Sequence, residues 1–108
     1  MKEEIRRAIA ANAASRIRGK ASSSVYSYNR GHHSSVTPSY DYEAGAHIGG
    51  SGSNLYHYGL GSHISLKTKG NEFEGYDYNE GHHFSGSVRG NTVQLYDYGE
   101  GRYFTYSV

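Results

Sequence analysis

A chain of 108 residues with a formal net charge of +1 at pH 7 has room for one domain with a modest core, and it gives no electrostatic reason to expect nucleic acid as a partner. The absence of cysteine excludes a disulfide framework and thiolate chemistry. Leu, Ile, Val and Phe make up only about one residue in six, so the 12 tyrosines must supply much of the apolar area that a core needs.

No apolar run approaches the roughly 18 residues that span a bilayer, so no membrane span is expected. Residues 8–14 are too weakly apolar, and too closely preceded by Glu3 and Glu4, for a secretory core, and a cytoplasmic location is the expectation. Residues 2–18 predict a helix, with Ile5, Ile9, Ala13 and Ile17 forming one apolar stripe at four-residue steps. Glu3 and Glu4 in the first turn and Arg16 and Arg18 in the last suit the helix dipole, and Gly19 is a natural stop. Arg6, Arg7 and Asn12 fall on the other face, so the helix is expected to dock on a sheet by its stripe.

After residue 24 the pattern changes to period two. The motif Tyr-x-Tyr-x-x-Gly begins at Tyr26, Tyr40, Tyr56, Tyr76 and Tyr96 and ends at Gly31, Gly45, Gly61, Gly81 and Gly101. Seven positions past each first tyrosine stand His33, His47, His63, His83 and Tyr103. Each copy suits a hairpin with a three-residue loop such as Asn79-Glu80-Gly81. That loop would pair Tyr78 with His82, Asp77 with His83 and Tyr76 with Phe84. Lys69-Gly70-Asn71 and Arg89-Gly90-Asn91 supply return turns, with Thr37-Pro38 and residues 49–53 as looser ones.

The expected fold is therefore α+β, mainly β, in a single domain over 1–108. A helix within 1–20 precedes an antiparallel up-and-down meander of about eight to ten short strands over 25–108, curled or closed into a barrel. The helix would pack on the barrel or plug it. An open single-layer hairpin array is the alternative. An unclosed meander would expose edges at Val25 and at residues 104–108 and favour a homo-oligomer.

The expected pairing lines up Ser27, His33, Asp41, His47, His57, His63, Asp77, His83, Asp97 and Tyr103 in one row across the sheet. Such an Asp/His ladder would fix register and respond to pH. A metal-binding alternative uses His57, His63, His47 and Asp77, whose imidazole and carboxylate groups suit zinc, nickel or copper. A small hydrolase built on Ser65, Ser85 or Ser87 is a third reading, set against the recurrence of the motif, because an active site is a single asymmetric constellation. On the other face the first tyrosines, interleaved with Ile48, Ile64, Phe84 and Phe104, are expected under the helix stripe, although Leu55, Phe73, Val93 and Leu95 on the His/Asp face leave both faces partly apolar and the inward one open. The second tyrosines, Tyr28, Tyr42, Tyr58, Tyr78 and Tyr98, are expected near the hairpin tips, either as core edge or as a surface that recognises sugars, peptides or flat ligands.

The hairpin period of about twenty residues resembles that of choline-binding cell-wall repeats, whose tryptophans this chain lacks. It also resembles MORN repeats, which share tyrosine, glycine and histidine in a meander; their Tyr-x-Gly opening is approximated by Phe73-Glu-Gly75. The resemblance transfers no site residue. It implies binding or assembly rather than catalysis, and the expected function is a noncatalytic binding or structural module.

Overall fold

A computed structural model describes residues 1–108. Helix α1 (Glu3–Arg18) leads into β1 (Ser24–Ser27), β2 (His32–Ser35), β3 (Tyr40–Asp41), β4 (Ala46–Gly49) and β5 (Asn54–His57). The longer strands follow: β6 (Ser62–Lys69), β7 (Glu72–Asp77), β8 (His82–Arg89), β9 (Thr92–Asp97) and β10 (Arg102–Ser107). All ten form one antiparallel sheet in which β1 pairs with β10, Tyr26 opposite Ser107 and Ser27 opposite Tyr106. At the far end of the sheet order, β2 and β3 meet through a bridge from Val36 to Asp41 and a 2.8 Å bond from the Tyr42 N–H to the Ser35 carbonyl. The sheet is nearly closed into a barrel, with its narrow seam between β2 and β3. The strands expected as free edges, at Val25 and residues 104–108, thus pair with each other. No helix is long and apolar enough to cross a membrane.

The helix ends as its sequence requires: Gly19 adopts φ 71° and its N–H bonds to the Ser15 carbonyl at 2.8 Å. Its surroundings differ from the one-stripe expectation. Ile5 and Arg7 are buried, and so is every residue from 8 to 14, a run that covers all sides of a helix turning 100° per residue. Arg7 and Asn12, assigned by sequence to a solvent face, are among them, and Asn12 Nδ2 donates to the Pro38 carbonyl at 3.0 Å. The helix is therefore the barrel's plug. Ten strands about 4.8 Å apart make a wall about 48 Å round, with a radius near 8 Å that strand tilt widens somewhat. A helix with ordinary side chains is about 10–12 Å across. Only a slim one clears the inward side chains, which explains Ala8, Ala10, Ala11, Ala13 and Ala14. With Ile5 and Ile9 they share one core with Leu55, Ile64, Leu66, Phe84, Val93, Leu95 and Phe104.

The hairpin register differs from expectation by one residue. Tyr76 pairs with His83, Asp77 with His82 and Gly75 with Phe84, so the loop holds the four residues 78–81. The cause is the middle residue of Tyr-x-Tyr, whose side chain turns inward and caps the loop. Asp77 Oδ1 accepts the Asn79 N–H at 2.9 Å; Asp97 Oδ1 accepts those of Gly99 and Glu100 at 2.9 and 3.2 Å. Asp41 Oδ1 accepts the N–H groups of Glu43 and Ala44, both at 3.1 Å. Ser27 Oγ serves Arg30 at 3.2 Å and His57 Nδ1 serves Leu60 at 3.3 Å. One added loop residue exchanges the faces of each return strand. Hence Phe84, Ile48, Ile64 and Phe104 point inward, and the first tyrosines, expected beneath the helix, lie half-buried on the outside.

Candidate functional site

The shifted register divides the expected Asp/His ladder between two surfaces. Asp41, Asp77 and Asp97 are fully buried inside the barrel, with His57 at 1 % and Ser27 at 3 % exposure beside them. His33, His47, His63, His83 and Tyr103 stand outside and exposed. Tyr40 and Tyr76, not aspartates, lie opposite His47 and His83.

Inside, the caps form a polar ring around the first turns of α1. Asp41 Oδ2 receives Arg7 Nε at 2.8 Å, and Arg7 Nη1 continues to Glu43 at 2.9 Å. Asp97 Oδ2 receives Arg6 at 3.1 Å and the amino group of Met1 at 2.8 Å. Burial opposes the Asp97 charge, but the Met1 amino group and the two loop N–H groups outweigh it and hold the carboxyl below its ordinary pKa. Burial likewise opposes the Glu43 charge, and His32 Nε2 at 2.6 Å, Ser34 and Arg7 overcome it and lower the pKa.

Asp77 is the exception in the ring. Its Oδ2 is buried without a hydrogen-bond partner, and burial pushes its pKa up, with the Asn79 N–H and the amino group only partly offsetting. A carboxyl whose pKa is higher folded than unfolded contributes stability at low pH that is lost as pH rises through the folded value. Asp77→Asn keeps the Oδ1 cap and removes the charge. It is expected to stabilise the protein at pH 7 by on the order of 1 kcal/mol and to make no difference at pH 3. Urea unfolding at both pH values checks this; a loss of stability at pH 7 would show that the charge is matched.

The metal set separates in the same way. His57 and Asp77 point inward, whereas His47 and His63 lie outside against Tyr40 and Tyr56 at 4.8 and 4.6 Å between ring centroids. His57 Nε2 has no hydrogen-bond partner and lies 3.6 Å from Asp41 Oδ2. No cluster of three or more His, Asp or Glu forms a metal site. Ser65, Ser85 and Ser87 alternate outward, away from the inward aspartates that a hydrolase triad would need.

Outside, each motif builds the same aromatic group. The two tyrosines of each copy meet edge-on or tilted, with centroids 4.6–5.0 Å apart. The histidine, or Tyr103 in the last copy, completes the group at 4.5–4.8 Å. The second tyrosine leans onto the preceding hairpin: Tyr58 packs over Gly49, and the Tyr98 hydroxyl lies 3.4 Å from Ser85 Oγ. Even so, Tyr28, Tyr42, Tyr58, Tyr78 and Tyr98 remain 57–64 % exposed. They make an aromatic belt around the barrel near its capped loops. Sequence reasoning named these tyrosines but missed Arg6 and Arg7 as partners of the inner aspartates, and Glu43 as the second partner of Arg7; the pairing joins chain segments that carry no shared pattern.

No protein-family model, curated protein or solved structure matches the chain.

Proposed function

We propose that the chain is a noncatalytic binding module whose recognition surface is the tyrosine belt. The observation that carries this reading is the exposure of five equivalent rings, 57–64 % each, in a protein whose core is complete without them. Tyrosine offers a broad ring face and a hydroxyl at small cost in side-chain freedom, which is why it suits recognition surfaces. The edge-on or tilted tyrosine packed against each ring holds it in one orientation. The recurrence of similar copies and the inward turn of Asp41, Asp77 and Asp97 speak for binding over catalysis.

The reading requires the belt to be dispensable for folding. Tyr58→Ser and Tyr78→Ser are each expected to cost no more than about 1 kcal/mol in urea unfolding, as exposed positions do. Losses above about 3 kcal/mol would make the rings structural. Binding itself is checked by following tyrosine ring signals in NMR against panels of oligosaccharides and peptides. Shifts at belt tyrosines support the module; silence of all five toward both panels overturns it.

A further inference from the structure

The later repeats are longer than the earlier ones, and the extra length creates a feature that the belt alone does not have. β6 and β8 run 8 residues and β7 and β9 run 6, whereas β4 and β5 run 4 and β3 only 2. Beyond the belt, the outer face of β6 to β9 holds two adjoining clefts of about 440 and 460 Å³ that share Lys67, Glu74 and Ser85. Ser85 and Ser87 form a low floor, and longer side chains stand around it. Lys67, Glu74 and Gln94 make the polar walls; Tyr98 and Tyr103 supply ring faces. The longer strands thus break the repetition of the surface here, and asymmetry is what a specific site needs.

Its charged groups are unspent. Lys67 lies directly opposite Glu74, and Lys69 opposite Glu72, yet none of the four takes part in a salt bridge. Two cations and two anions cancel, so the cleft favours neither an anionic nor a cationic ligand. What remains is a set of donors from lysine and glutamine, acceptors from glutamate, serine hydroxyls that do both, and tyrosine faces. A neutral polyhydroxylated molecule matches this set: its hydroxyls bridge donors to acceptors while its C–H faces lie on the rings. An apolar ligand would leave the walls unpaired.

We infer that the β6–β9 cleft is a binding site for a neutral oligosaccharide, an inference that rests on the belt reading because Tyr98 belongs to both. The test uses the full chain, isotope-labelled, titrated in NMR with cellotetraose, chitotetraose, maltotetraose and xylotetraose, and in parallel with tetragalacturonic acid and a peptide panel. At least one neutral tetrasaccharide is expected to shift the Ser85, Ser87 and Gln94 amides and the Tyr98 and Tyr103 rings, leaving Tyr42, on the opposite side of the barrel, unmoved. Gln94→Ala and Glu74→Gln, both at exposed positions, are each expected to weaken that binding about tenfold, the effect of one lost hydrogen bond to a polar or charged group. Binding of the acidic sugar or of a peptide alone overturns the neutral-saccharide assignment and leaves the belt reading standing. Shifts spread equally over all five hairpins overturn the location only. Silence of every tyrosine toward every probe overturns both readings.

Discussion

Replacing Arg7 by methionine is expected to lower stability by about 3–5 kcal/mol, the cost of stranding a buried carboxylate. Arg7 is 3 % exposed and its fork holds Asp41, which is fully buried and has only His57 Nε2, at 3.6 Å, as another polar neighbour for Oδ2. Methionine matches the stem of arginine in volume, so the loss reports on charge rather than on a cavity. The double variant Arg7→Met with Asp41→Asn removes both charges and keeps an Oδ1 that can cap the loop. It is expected to recover most of the loss, since replacing both members of a buried pair is far less costly than breaking it. Urea unfolding of the wild type, both singles and the double gives the coupling directly. A loss below about 1 kcal/mol for Arg7→Met, the size expected of a surface pair, would place the arginine in water and take the helix out of the barrel.

The second large effect lies in the wall. Gly75 and Gly86 sit opposite Phe84 and Phe73 on β7 and β8, and each phenylalanine ring lies over the glycine it faces. A Cβ at Gly75 would stand 1.7 Å from the Ser65 carbonyl oxygen and 2.6 Å from the Phe84 ring; at Gly86 it would stand 2.1 Å from the Gln94 carbonyl oxygen. The ring could move, but the carbonyl belongs to the neighbouring strand and carries the ladder with it. Gly75→Ala is expected to cost at least about 3 kcal/mol, at the upper end of overpacking effects. Gly70→Ala is the control: it occupies a turn with φ 60° and open space, and only the backbone penalty of about 1 kcal/mol applies. Thermal unfolding of the two variants separates a steric wall from a general glycine effect. Equal losses would mean that β7 relaxes around the new methyl and that the close approach of Ser65 and Phe84 does not require a glycine.

Both expectations depend on the helix lying inside the barrel and the tyrosines outside. The sequence carried part of this. The apolar stripe at Ile5 and Ile9, with Gly19 as terminator, was sufficient to predict a helix close to Glu3–Arg18, because caps and periodicity are local properties. What the stripe did not convey was the run of small residues as a statement about space: five alanines between residues 8 and 14 are needed only when a wall surrounds the helix on every side. The candidate site was legible in the same partial way. The belt tyrosines were named from the motif, but the β6–β9 cleft depends on which strands are long and on which of their side chains share a face, and neither follows from the motif itself.

Local chemistry along the chain dictates the parts whose causes lie within a few residues of one another. These are the helix and its end, five hairpins at five glycine-bearing motifs, the return turns at Gly70 and Gly90, and the antiparallel order of strands joined by short loops. The tertiary structure alone decided which face of each strand is inside. That choice turns on one loop residue: when Asp41, Asp77 and Asp97 turn inward to cap four-residue loops, every residue of the returning strand changes sides relative to a three-residue loop. Near-closure was to be expected from the width of the meander, but the pairing that achieves it, Tyr26 with Ser107, spans the chain from β1 to β10 and has no local signature. The same distance explains why Arg7 and Asp41 find each other while Asp77, in the same motif position, is left with an unpaired oxygen. Each inward aspartate caps its own loop by local chemistry, but its second oxygen depends on what the helix brings to that side of the barrel.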